Sequence, residues 1–172
     1  LPIKLMSAEM KRGFKTFQKQ NPPLYYLSYQ YYTNDLSDIK VSEGSVAREY
    51  YGRQRASVTV FPRVGSPALD NTRRLTVMSS VSDRLTKEDM PAAEGDGKAF
   101  STALWRATDA AVKKAQEDLD GVKAEKLTAP ARFDDSPDFA YPPVERFCRT
   151  AEFAAFDYDK IKEMLVKAST LT

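Results

Sequence analysis

The sequence predicts an α+β fold: a mainly antiparallel sheet of about four to five strands, with a long helix and a C-terminal helix packed on it. Three observations lead there. Strand-like runs follow one another from Leu24 to Val81 with no helical pattern between them. Apolar residues across Gly97–Val122 then recur at spacings of three and four, the period of one helix face. The chain has 172 residues, 42% apolar and 29% charged, which is ordinary usage for one globular domain with its own core. Residues 1–172 are therefore expected to form a single domain.

Ser7 is read as the cap of a first helix running to about Gln18, with Met10, Phe14 and Phe17 on one apolar stripe. Asn21-Pro22-Pro23 stops it, because proline cannot continue a helix and holds its predecessor extended. Leu24–Thr33 follows as LYYLSYQYYT, a strand with aromatics on both faces. Asn34-Asp35 is expected to turn. A second strand then carries Ile39 and Val41 and reaches about Tyr51, with Gly44 as a bulge or bend and Gly52 as the break. Arg55–Phe61 alternates, Val58 and Val60 sharing a face, until Pro62 ends it or marks an edge.

Gly65, Pro67, Asp70 and Asn71 supply turn chemistry for a loop. Leu75, Val77 and Val81 suggest a fourth strand, and the polar stretch from Ser82 to Gly97 an exposed loop. The long helix places Phe100, Leu104, Ala107, Ala111, Ala115, Leu119 and Val122 on one side, with Lys123–Lys126 as an extension. Four prolines make Ala129–Pro143 a loop. Asp157 is placed to cap a last helix, with Ile161, Leu165 and Ala168 on one side.

Composition excludes several chemistries. The chain has no histidine and one cysteine, Cys148. A zinc site draws its ligands from His, Cys and carboxylates, and a Ser-His-Asp or Cys-His centre needs an imidazole. No catalytic residue, metal ligand or cofactor is expected on this chain, and Cys148 reads as an inert buried thiol. No run is long and apolar enough for a membrane span. Leu1–Phe17 is too charged for a signal peptide, and a start at Leu1 rather than Met reads as a trimmed or mature chain. The expected setting is a soluble protein, cytoplasmic or exported, in a bacterium.

Candidate binding residues lie in four places. Tyr25, Tyr29 and Tyr31 can either pack the sheet or offer faces on which bases or sugars stack; packing is favoured. Arg48–Arg74 holds six arginines against Glu49 and Asp70, while Asp134–Glu145 holds four acids and no base, so the two patches can pair within the domain. Arg63, Asp70 and Asn71 fall in the most unusual local stretch, where Asp and Asn shape turns by bonding nearby backbone. Trp105 sits one step off the helix stripe and reads as a core or interface anchor.

Several stretches together resemble one family: Pro23-Leu-Tyr-Tyr-Leu-Ser-Tyr29, Arg63-Val-Gly65 with Leu69-Asp-Asn-Thr72, and Ala103-Leu-Trp-Arg-Ala-Thr-Asp109 before a Lys/Ala-rich helix. Their order and spacing are similar to the N-terminal region of TldD/PmbA-like metallopeptidases, often called modulators of DNA gyrase. The similarity covers roughly Ser7–Phe139. It implies an α+β domain ahead of a C-terminal domain whose metal site rests on an HExxxH-type motif. That motif is absent here, so no catalytic residue carries over. Either the chain is only the N-terminal domain of a larger protein or it is a degenerate stand-alone relative; the first is favoured, and the resemblance then implies a non-catalytic part that pairs with a second subunit and walls a peptide-substrate cleft. One alternative is a nucleic-acid-binding module using Arg53, Arg55, Arg63 and the tyrosines, against which a net charge of +2 weighs. Another is a secreted small-ligand-binding domain.

Overall fold

The computed structural model describes residues 2–73, 86–90, 97–130, 136–141, 143, 145, 147, 149 and 155–170. The order is helix α1 (Pro2–Phe17), strands β1 (Leu24–Ser42), β2 (Ser45–Ser66), β3 (Leu69–Asp70) and β4 (Thr86–Met90), then helices α2 (Gly97–Thr128) and α3 (Tyr158–Ser169). The four described strands form one antiparallel sheet in which β2 is hydrogen-bonded to each of the others. β2 pairs with β4 from Ala56↔Met90 to Val60↔Thr86, and with β3 at Gly65↔Asp70 and Ser66↔Leu69. The expected fold class is the observed one.

The boundaries differ from the sequence reading where pairing overrides local preference. α1 begins at Pro2, not Ser7, since proline suits the first helical position, where its missing N–H has no partner to lose. Asn34-Asp35 does not turn: β1 runs on to Ser42. The turn is Glu43-Gly44, with φ of 51° and 71°, the left-handed pair that closes a two-residue hairpin with the right twist. Gly44 is therefore in the turn and not in a strand, and β2 passes through Gly52 at φ 62°. Pro62 does not end β2 either. It falls between the stretches that pair with β4 and with β3, so on that side its missing N–H leaves no gap in a ladder.

Thr86–Met90, read as exposed loop, is a strand. Its one strongly apolar residue is Met90, too little for a periodic signal, and the partner backbone of β2 supplies the pairing. The strand expected at Leu75–Val81 lies outside the described residues, as does Cys148.

The chain sorts into two compact units, one of residues 1–33 with 56–141 and one of 34–55 with 142–172. The first holds the core. The α2 stripe is buried as expected, from Phe100 through Leu104, Ala107, Ala111 and Ala115 to Leu119 and Val122. It meets Leu24 and Leu27 of β1, Val58, Val60 and Val64 of β2, Met90 of β4 and Phe17 of α1. In the second unit α3 lies along the hairpin tip. The Asp157 carboxylate accepts from the Lys160 amide as its N-cap, Tyr158 packs on Tyr51 at 5.0 Å, and Lys162 meets Glu49 at 3.3 Å. No residue of α3 is buried, so these contacts are surface ones.

Leu104 is fully buried on the stripe, while Leu127 on the same helix is 84% exposed. Leu104→Ala is expected to cost ~2–5 kcal/mol in chemical denaturation and Leu127→Ala under about 0.5 kcal/mol. Equal costs would mean that the helix face is misassigned.

Candidate functional site

The unusual stretch singled out in the sequence becomes the polar centre of the first unit. Gly65 has φ 104°, and a Cβ there would stand 2.7 Å from the Leu69 carbonyl oxygen, so the β2–β3 hairpin closes only on glycine. That closure brings Asp70 back beside Arg63. Asp70 has no exposed surface and is engaged on both oxygens. Its Oδ2 accepts from the Tyr25 hydroxyl at 2.5 Å and from Arg63 Nη1 at 2.6 Å. Its Oδ1 accepts from the Thr72 amide and the Thr72 hydroxyl, both at 2.7 Å. A buried carboxylate needs this many donors, because an unpaired charge away from water costs several kcal/mol.

Asn71 serves the backbone. Its Oδ1 accepts from the Val64 amide at 2.8 Å and its Nδ2 donates to the Pro62 carbonyl at 3.4 Å, side-chain bonds standing in for a longer strand pairing. Tyr25, Arg63, Asp70 and Asn71 are thus brought together from three strands and the turn after them, and the structural reading of the 63–72 loop accounts for their bonds.

The arginine-rich stretch and the acidic loop also meet. Arg73 Nη1 donates to Asp138 Oδ1 at 2.8 Å and to the Ser136 carbonyl at 2.7 Å. Asp138 Oδ2 accepts from the Asp70 amide at 2.7 Å, and its carbonyl from Arg63 Nη1 at 3.3 Å. Phe139 follows: its amide donates to the Pro67 carbonyl at 3.1 Å, and its ring lies under the Arg63 guanidinium at 4.6 Å. Tyr26 and Tyr25 flank that ring at 4.8 and 5.8 Å. Beside Phe139 a cavity of about 460 Å³ runs from Tyr26, Ser28 and Gln30 to Ala111 and Ala115 of α2.

Tyr29, Tyr31 and Trp105 lie elsewhere. Tyr29 and Tyr31 pack, the favoured of the two readings: both turn to α2, where the Tyr29 hydroxyl meets Thr108 Oγ1 at 2.7 Å and Tyr31 packs edge-on against Phe100 at 5.8 Å. The exposed tyrosine there is Tyr32, at 51%. Leu24 and Leu27, three residues apart, are both buried, so strict alternation fails at the start of β1 and shifts every later face. Trp105 stacks on Phe17 at 5.5 Å with the Arg12 guanidinium 4.2 Å from its ring, an anchor between α1 and α2.

Tyr26 was not among the sequence candidates, and Thr72, Arg73, Asp138 and Phe139 were marked only as members of the arginine-rich stretch and the acidic loop. The charge complementarity of the two patches was the available signal; nothing local marked which acid would meet which arginine.

Burial pushes the Tyr25 phenol well above its ordinary 10.0, and the hydrogen bond and charge of Asp70 push it further. Tyr29 is raised as well, first by burial. Burial pulls the Arg63 guanidinium down, but the hydrogen bond and charge of Asp70 outweigh it and leave Arg63 raised. Among the described residues no group of three His, Cys, Asp or Glu side chains could hold a metal ion. No protein family, curated protein or solved structure matches the chain.

Asp70→Ala leaves Arg63 and Tyr25 without their common acceptor and is expected to cost ~3–5 kcal/mol, as when a buried pair loses one partner. A loss under about 1 kcal/mol in urea unfolding would mean that this network does not hold the hairpin. Tyr25 and Tyr29 keep their protons in the folded chain where the unfolded chain releases them. Their contribution is therefore complete below about pH 10 and declines as pH rises beyond it. Unfolding followed between about pH 9 and 11.5 is expected to show that decline, with a shallower slope in Tyr25→Phe. An unchanged slope would contradict the burial of this hydroxyl.

Proposed function

We propose that this chain is a non-catalytic assembly and binding domain resembling the N-terminal domain of TldD/PmbA-like metallopeptidases. Its work is to pair with a second subunit and to wall a cleft for a peptide substrate, while metal-dependent chemistry resides on another domain. One observation carries the reading. The stretch that resembles the family, Arg63–Gly65 with Leu69–Thr72, spends its polar side chains on internal bonds that rigidify a hairpin. Residues held this way are suited to position a surface.

One feature agrees with the assembly half of the proposal. In the second unit Leu36, Val46 and Tyr51 of the hairpin are exposed, and exposed apolar residues of this kind are favoured at interfaces. Among the described residues no helix is long and apolar enough to cross a membrane. The cavity beside Phe139 falls in the size range of ligand sites and supports the binding half.

Sedimentation of the pure chain, alone and mixed with an HExxxH-bearing TldD/PmbA-like domain, tests the assembly. Self-association or co-sedimentation at ~10–100 μM is expected, weakened at least about tenfold by Leu36→Asp with Val46→Asp. A strict monomer that ignores the partner domain would refute the proposal. So would chelator-sensitive peptide cleavage by the pure chain. Submicromolar binding of labelled single-stranded RNA or DNA at about 0.15 M salt, with a steep salt slope, would promote the nucleic-acid reading instead.

A further inference from the structure

The segment Ser136–Tyr141 is held in the manner of a bound peptide. It has no helix or strand of its own. Its grip combines main-chain and side-chain recognition. Arg73 takes the Ser136 carbonyl, Arg63 the Asp138 carbonyl, and the Pro67 carbonyl the Phe139 amide. The Asp138 carboxylate is 3% exposed, fixed on one oxygen by Arg73 and on the other by the Asp70 amide. The next residue sets its ring against both the Arg63 guanidinium and the Tyr26 ring. One arginine, Arg73, and the Asp70 amide select an acid, and a cationic and aromatic cage selects a ring beside it.

The Arg63 side of the cage also has partners outside the segment. Asp70, locked by Tyr25 and Thr72, aims Arg63, and the 460 Å³ cavity continues past the Phe139 ring toward α2, leaving room for a larger apolar group.

We propose that this hairpin is a recognition site for peptides carrying an acidic residue followed by an aromatic one, occupied in cis by Asp138-Phe139. The inference rests on the peptide-binding half of the proposed function and names its substrate class. A tethered ligand competes at high effective concentration, so a free peptide binds weakly until the tethered one is removed.

The probe is a labelled hexapeptide of the chain's own segment, Ser-Pro-Asp-Phe-Ala-Tyr, followed by fluorescence anisotropy. The full chain carrying Asp138→Ala and Phe139→Ala, with its fold checked by circular dichroism, is expected to bind it at least about tenfold more tightly than the unaltered chain. Replacing either Asp or Phe in the peptide by Ala should abolish that gain. A folded variant that binds no better, or that accepts the Ala peptides equally, overturns the inference.

Should the variant fail to fold, hydrogen exchange on the unaltered chain decides. Excess hexapeptide is expected to speed exchange across Ser136–Tyr141, where the Phe139 amide is now bonded to Pro67. Unchanged exchange overturns the inference. Binding of other peptides with no preference for the acidic–aromatic pair removes this inference alone. The sedimentation test of assembly reads a different surface and fails or succeeds separately.

Discussion

Asp70 is a carboxylate with no access to water, and its charge must be met inside the protein. Burying it costs several kcal/mol unless donors surround it, and here they come from Tyr25, Arg63 and Thr72. That requirement ties β1, β2 and β3 to one point. Any rearrangement that moved β3 away would strand the carboxylate and leave the Arg63 guanidinium without its partner. Gly65 pairs directly with Asp70 across the hairpin, and its positive φ together with the nearby Leu69 carbonyl oxygen leaves room for glycine alone.

From that point the network spreads outward. Arg63 has bonds left for the Asp138 carbonyl, and the Asp70 amide holds the Asp138 carboxylate. A loop far along the chain is thereby fixed by the residues that close the hairpin. Recognition of the acidic–aromatic segment and stability of the sheet thus share their side chains. This gives a physical reason for a surface to be rigid: its charged groups are held by buried partners and lose little freedom when a ligand arrives.

The other face of the sheet is governed by area. β2 presents Val58, Val60 and Val64 to an α2 stripe containing Ala107, Ala111 and Ala115, and small residues let the helix lie close. Ser57 and Thr59 are buried on the opposite side, so both faces of the middle of β2 are covered. In the second unit the hairpin tip and α3 meet through surface contacts, and Leu36, Val46 and Tyr51 of the hairpin are exposed.

Helices were legible because their information is local. The stripe from Phe100 to Val122 and the Asp157 cap depend on residues three or four apart, so periodicity and capping chemistry alone determine them. The α+β class followed from the order of those patterns, and the absence of histidine limited the chemistry open to the chain. Strand boundaries were less legible. Asn34-Asp35 has turn chemistry yet stays extended because β2 pairs alongside, and Thr86–Met90 has almost no strand signal yet pairs with β2 from Ala56 to Val60. The site was half legible: turn chemistry marked Arg63, Asp70 and Asn71, whereas Tyr25 was marked for a different role and Asp138 only as part of an acidic run. A strand bond or an ion pair joins residues tens of positions apart. Which tyrosine reaches Asp70, and which acid reaches Arg73, was therefore decided by the tertiary structure, where sheet register sets every partner at once.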